Sequence, residues 1–272
     1  MKTIVITGSS SGIGKATAKY FAEKGWKVAA TMRRPENEIE LNQLDNVSLY
    51  ALDVTDEASI ANATQQILRD FGTVDVVLNN AGYAVAGPFE ATTAEQIQRQ
   101  FATNVFGLMS VTRAFLPHFR ANKAGLFLNV SSIGGRVTFP FLSLYHSTKW
   151  AVEGFSESLA YELGELGIRV KIIEPGGVDT DFAGRSMVFA VEEGLTAYNE
   201  ALGKFQANQG KSGLAANTAD FLAEGIYNAA TDGKTQLRYL IGPDAEQVYG
   251  MRQQIGDDAF VAGVKERMLS TC

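Results

Sequence analysis

Short runs of apolar and β-branched residues alternate along the chain with longer segments whose apolar positions recur every three or four residues. The runs at 2–7 (KTIVIT), 27–33 (KVAATMR), 48–54 (SLYALDV), 74–82 (VDVVLNNAG), 125–132 (GLFLNVSS), 168–177 (IRVKIIEPGG) and 235–242 (TQLRYLIG) predict about seven strands. Segments 12–25, 56–72, 101–119 and 144–166 predict helices, with Asp56 placed to cap the second and Gly25 to close the first. Strands that are apolar on both faces, in alternation with helices, predict a parallel sheet covered on each side. Right-handed crossovers then give a doubly wound α/β fold. The 101–119 helix is apolar nearly all round, more than one sheet face can bury. Residues 181–213 break the pattern. They show little strand character and carry Phe182, Met187, Phe189, Leu195, Tyr198 and Phe205. Within a single domain spanning 1–272, such a segment predicts a substrate lid or binding loop.

Composition narrows the partners. With 46% hydrophobic and 20% charged residues, the chain can bury a large core and is not disordered. A net charge of −6 without basic runs argues against nucleic acid or an anionic membrane surface. The apolar run before Gly8 is too short for the core of a signal peptide, and no stretch reaches the roughly 18 residues of a spanning helix. A cytoplasmic protein is the expectation. One cysteine, Cys272, allows no internal disulfide, and Cys272 with the isolated His118 and His146 makes no tetrahedral metal site. No metal is expected.

The first predicted strand runs into TGSSSGIG, with Gly8, Gly12 and Gly14. Glycines there permit a tight turn and close backbone approach to a pyrophosphate, and the helix that starts near Ile13 turns its free N–H groups toward those phosphates. Ala16 follows Lys15, so this is not the Gly-Lys-Ser/Thr of an NTPase loop. At the end of the second strand, where an acid would grip the ribose hydroxyls of NAD, stand Arg33 and Arg34. Guanidiniums there favour a 2′-phosphate, and so NADP(H) over NAD(H). Further on, SLYHSTKW places Tyr145 and Lys149 one helical turn apart. Tyr20 and Lys24 have the same spacing, so the pair means little without its company.

That company resembles the short-chain dehydrogenase/reductase family, whose fold is of the Rossmann type. TGSSSGIG resembles TGxxxGxG and, with Ser10 and Ile13, implies the cofactor turn. LDVTD puts Asp53 where the family contacts adenine, and NNAG supplies Asn80, Ala81 and Gly82 beside the adenosine. Asn104 stands at the family's structural and catalytic asparagine, and Ser132 lies thirteen residues before Tyr145. YHSTK matches Tyr-x-Ser-Thr-Lys. PGGVDT supplies Pro175, Gly176, Val178 and Thr180, the last implied to hold the nicotinamide amide. Seven motifs in order cover most of the chain, but none lies beyond 181.

The resemblance implies a tetrad of Asn104, Ser132, Tyr145 and Lys149 that moves a proton while a hydride passes between nicotinamide and a carbonyl or alcohol carbon. A phenol titrates near 10. An ammonium about 4 Å away would favour its phenolate by up to about 4 kcal/mol at an intermediate dielectric. Lys149 is also implied to bind the nicotinamide ribose, Ser132 to hydrogen-bond the substrate oxygen, and Asn104 to hold a proton-passing water. Ser131 is the rival of Ser132, since adjacent strand residues face opposite ways. His146 points away from Tyr145 on a helix, toward packing or surface. The apolar segments 83–90, 136–145 and 181–213 suggest a hydrophobic ketone, aldehyde or alcohol. The expected activity is an NADPH-dependent carbonyl reductase. The alternatives are a 3-oxoacyl-carrier-protein reductase and a non-catalytic NADP(H)-binding sensor. Family resemblance also implies a homodimer or homotetramer built on the 101–119 and 144–166 helices.

Overall fold

The computed structural model describes residues 1–179, 187–208 and 216–270. Its strands are β1 (Thr3–Thr7), β2 (Lys27–Met32), β3 (Val47–Ala51), β4 (Val76–Asn79), β5 (Ala84–Ala86), β6 (Gly125–Val130), β7 (Ile168–Pro175), β8 (Val178–Asp179), β9 (Met187–Phe189), β10 (Asn217–Thr218) and β11 (Arg238–Ile241). Seven of them form one parallel sheet in the order β11-β7-β6-β4-β1-β2-β3. Each predicted run contains one of these strands, except that β3 begins at Val47, one residue before its run. The runs overshoot at their carboxyl ends, because Asn80–Gly82 and Ser131–Ser132 leave the ladder to form loops. The short β5 pairs with β9, and β8 with β10, both parallel.

Helices α1 (Gly12–Glu23), α2 (Glu57–Phe71), α3 (Ala94–Phe101), α4 (Leu108–Asn122), α5 (Ser143–Gly164), α6 (Asn199–Asn208), α7 (Ala219–Thr231), α8 (Pro243–Ile255) and α9 (Asp257–Leu269) pack around the sheet and at its carboxyl edge. Alternation along β1 explains the two-sided core. Ile4 and Ile6 meet Phe21 of α1 and Ile226 of α7 on one face, whereas Val5 meets Ile67 of α2, Phe115 of α4 and Leu163 of α5 on the other.

The predicted 101–119 helix is not continuous. Helix α3 ends at Phe101, a π-helical turn spans Ala102–Gly107, and α4 resumes at Leu108. Gly107 packs so closely on Val54 that an added Cβ would lie 2.8 Å from it. The wider turn displaces the backbone around Asn104, an interruption found often at functional positions. The apolar excess is relieved by exposure: Phe106, on this turn, is 58% exposed.

Asp56 caps α2 as predicted, its Oδ1 accepting from Ala58 N at 2.8 Å and Ser59 N at 3.3 Å. Asp56→Ala is expected to cost about 1 kcal/mol. A lower urea midpoint with an unchanged turnover rate would record that loss, because α2 packs on the outer side of the sheet.

Candidate active site

A cavity of about 1530 Å³ opens at the carboxyl ends of β1, β4, β6 and β7, where successive connections leave the sheet in opposite directions. Its floor is the turn between β1 and α1. Gly8 adopts φ +71°, open to glycine at little cost. At Gly14 a Cβ would lie 2.3 Å from Gly8 O and 2.5 Å from Asn80 Nδ2. Asn80 stitches this turn to β4, its Nδ2 donating to Thr7 O at 2.9 Å and Gly8 O at 3.2 Å. Thr7 Oγ1 in return accepts from Asn80 N and Ala81 N. The first turn of α1 contains no acidic residue. Its free N–H groups and the glycine cradle therefore suit an anionic diphosphate. Ser10, Gly12, Ile13, Ala81 and Gly82 also line the cavity.

Of the two predicted guanidiniums, Arg33 lines the cavity and is exposed; Arg34 does not line it. Asp53 lies on the rim, its Oδ1 accepting from Thr55 N at 2.9 Å and Thr55 Oγ1 at 2.7 Å. Pro175, Gly176 and Val178 form the side opposite Arg33 along β7 and its exit. Thr180, Phe182 and Cys272 lie outside the described residues.

Ser132, Tyr145 and Lys149 converge at the far end. Ser132 leaves β6 in an extended conformation, its Oγ accepting from Gly134 N at 3.0 Å. Ser131 is buried, and an added Cβ on Gly135 would lie 2.5 Å from its Oγ. Lys149 is buried and donates from Nζ to Val130 O at 2.9 Å, with Nζ 5.7 Å from the centre of the Tyr145 ring. Lys24 lies over the Tyr20 ring at a similar 5.0 Å, but on the outer surface, so the cavity and not the spacing distinguishes the two pairs.

The electrostatics correct one expectation. Burial pushes the Tyr145 phenol above its ordinary pKa, and the Ser132 hydrogen bond only opposes this. Burial also brings Lys149 down to about 8, while the Glu153 carboxylate one turn on holds it up. The Lys149 ammonium donates to the Val130 carbonyl, and burial outweighs what lowers the phenol. At neutral pH this pairing keeps Tyr145 protonated, the form that donates a proton.

Asn104 also departs from expectation, because it does not line the cavity. Its carboxamide is buried, accepting from Tyr83 N at 3.0 Å and donating to Tyr83 O at 2.8 Å and Thr148 Oγ1 at 3.0 Å. Those bonds tie the π-helical turn to the loop after β4 and to α5. The side chain braces the wall.

The outer wall comes from residues that the hydropathy pattern leaves unassigned. Val248, Met251 and Ile255 of α8 and Phe260, Val264 and Met268 of α9 line the cavity. These helices turn apolar residues to the chamber, and the hydropathy pattern leaves them unassigned along with α3, α6 and α7. Asp244 at the start of α8 was equally silent in sequence. It accepts from Gly177 N at 2.6 Å and Asn217 Nδ2 at 2.8 Å, holding the loop after β7. Arg136 joins the outer wall to the Ser132 loop. Its guanidinium stacks on Tyr249 at 4.2 Å and pairs with Glu174 at 3.0 Å, and its carbonyl accepts from Arg252. Glu174 is pushed up to about 7 by burial and then by Glu153, against the pull of Arg136 and Arg238. Among the described residues, no group of three or more His, Cys, Asp or Glu could hold a metal. No described helix is long and apolar enough to cross a membrane.

Comparison with known proteins matches this geometry to a family. A family model described as short chain dehydrogenase matches residues 2–187. An uncharacterized oxidoreductase of Schizosaccharomyces pombe is 40% identical over 242 residues, 87% of this chain and 99% of that protein. A short-chain dehydrogenase from Streptomyces avermitilis superposes with a TM-score of 0.84 at 35% identity, covering 97% of this chain and 95% of that one. ElxO with NADP bound gives 0.73 at 28% identity over 88% of this chain and 97% of its own. A 3-ketoacyl-(acyl-carrier-protein) reductase from Brucella melitensis, complexed with NADH, gives 0.73 at 26% over 88% and 94%.

Proposed function

We propose that this chain, an oxidoreductase that belongs to the short-chain dehydrogenase family, is an NADPH-dependent reductase of hydrophobic ketones or aldehydes. The observation that carries the reading is one continuous cavity with a glycine cradle and Arg33 at one end, a protonated Tyr145 beside Lys149 at the other, and an apolar chamber above. The family's fold binds a nicotinamide cofactor, which supplies the hydride when bound. Gly8, Gly12, Ile13, Gly14 and Ser10 would hold its diphosphate, Arg33 a 2′-phosphate, and Asp53 with Asn80, Ala81 and Gly82 its adenosine. Lys149, Pro175, Gly176, Val178 and Thr180 would hold the nicotinamide end.

Ser132 donates a hydrogen bond to the substrate oxygen and stabilises the negative charge that develops there. Tyr145 gives its proton to that oxygen. Lys149, its ammonium 5.7 Å from the centre of the ring, favours the phenolate left behind. Asn104 holds the π-helical turn in register with these groups. The chamber walls from α8, α9 and Phe205 exclude water and accept apolar substrate. The described parts of 181–213, β9 and α6, serve as a lid over it. The exposed Phe106 on the π-helical turn and Tyr161 on α5 offer apolar surface for a homodimer or homotetramer.

Incubation with NADPH and a panel of aliphatic, aromatic and polycyclic carbonyls tests the reading; oxidation of NADPH by none of them defeats it. Arg33→Ala is expected to weaken NADPH binding about tenfold or more, the worth of one charge-assisted contact. Fluorescence titration should find NADH affinity nearly unchanged, and equal losses for both cofactors would remove Arg33 from the 2′-phosphate.

A further inference from the structure

We propose that His146 is a positioning residue that fixes Ser132 as a hydrogen-bond donor and holds Phe139 as a wall of the substrate chamber. The inference rests on the reductase reading above. His146 is only 3% exposed, and both ring nitrogens are engaged by one loop. Nε2 accepts from Phe139 N at 3.0 Å, so that nitrogen carries no proton. Nδ1 lies 2.9 Å from Gly134 O, a partner that only an N–H can serve. A single neutral tautomer, with its proton on Nδ1, satisfies both contacts. Burial pulls the imidazole down to about 4, against the Gly134 bond, so the ring is neutral in neutral solution.

Gly134 passes the constraint to the reacting groups. Its carbonyl accepts from His146 while its N–H donates to Ser132 Oγ at 3.0 Å. An added Cβ on Gly134 would lie 2.6 Å from His146 Nδ1 and 3.3 Å from Ser132 Oγ, so this peptide is held between them. Ser132 has one hydrogen to give. With one acceptor position filled by Gly134, that hydrogen is left to be given on the side of Tyr145, with which Ser132 hydrogen-bonds. A substrate oxygen needs a donor at that place. The other leg ends at Phe139, whose ring is 5.9 Å from the imidazole and which lines the chamber. A histidine buried only for packing needs no such arrangement. Here both nitrogens are spent on the segment that joins the serine to the chamber wall.

The two legs separate by substitution. His146→Asn keeps a donor at the Nδ1 position, His146→Gln an acceptor at the Nε2 position, and His146→Leu neither. With NADPH and any carbonyl that the wild type reduces, His146→Leu is expected to lose about 100-fold in kcat, the effect of a small misplacement at the reacting centre. His146→Asn should recover kcat to within about threefold but keep a raised KM for the carbonyl, and His146→Gln should recover KM but not kcat. NADPH affinity should stay within about twofold in all three. A Leu variant as fast as wild type, or an Asn variant no faster than Leu, overturns the proposal. A second readout needs no turnover. The chain has two histidines, so ¹⁵N-histidine labelling gives two ring systems to assign by nuclear magnetic resonance. A neutral Nδ1–H tautomer at His146 from about pH 8 to about pH 5 is expected. An Nε2–H tautomer, or a charged ring at about pH 6, refutes it. A wild type inactive on every carbonyl defeats the reductase reading alone, and the tautomer still decides the fate of His146.

Discussion

Tyr145→Phe lowers the rate of carbonyl reduction by about 10³-fold, the range of a lost general acid, and leaves NADPH affinity nearly intact. The phenol lines the cavity at the catalytic end and holds its proton at neutral pH. Lys149 does not replace it, since its ammonium is held by Val130 O behind the ring. The ring stays in place in the variant, because Phe keeps the stacking beside His146, 5.7 Å away, and under the lysine. Single-turnover fluorescence with enzyme-bound NADPH measures the chemical step directly. A variant within about tenfold of wild type would show that the proton comes from elsewhere.

Gly14→Ala removes cofactor binding and destabilises the fold together. The new methyl carbon has nowhere to go, with Gly8 O at 2.3 Å and Asn80 Nδ2 at 2.5 Å. Both neighbours are themselves tied down, Gly8 by its left-handed turn and Asn80 by Thr7. The turn must open, and with it the N–H groups aimed at the diphosphate. Overpacking of this kind costs roughly 1–3 kcal/mol, and a loosened cradle forfeits the charge-assisted bonds, about 100-fold in affinity. Calorimetry and a thermal melt should report the two losses in one protein. Gly12→Ala is the control: its φ of +54° is strained, but nothing stands within 4 Å of the new Cβ. It should retain more affinity than Gly14→Ala.

The sheet was legible because its strands are short, unbroken, β-branched runs set between amphipathic segments. Ile4, Val5 and Ile6 feed both faces of a doubly covered sheet, and an unbroken apolar run is how such a strand reads. Ser132, Tyr145 and Lys149 were legible through the motifs around them, because spacing alone does not separate Tyr145 and Lys149 from Tyr20 and Lys24. Asn104 was found by position but not by behaviour. A π-helical turn has no distinct hydropathy signature, and the sequence does not reveal that the carboxamide is spent on Tyr83. The imidazole of His146 was read as packing or surface, because its value depends on the 134–139 backbone folding back over it. The helices at 243–255 and 257–269 escaped because their apolar side chains answer to a hollow that no periodicity describes.

Those two helices lie wholly beyond the 2–187 span shared with the family model, yet Arg136 bolts the first of them to the loop that carries Ser132. The chain thus divides its labour along its length: the glycine cradle, Ser132, Tyr145 and Lys149 lie before residue 187, and much of the chamber wall lies behind it. Substitution of Met251, Ile255, Phe260 or Val264 is expected to alter which carbonyls are accepted while Ser132, Tyr145 and Lys149 keep their places. A library randomised at those four positions should diversify in taste before it loses vigour.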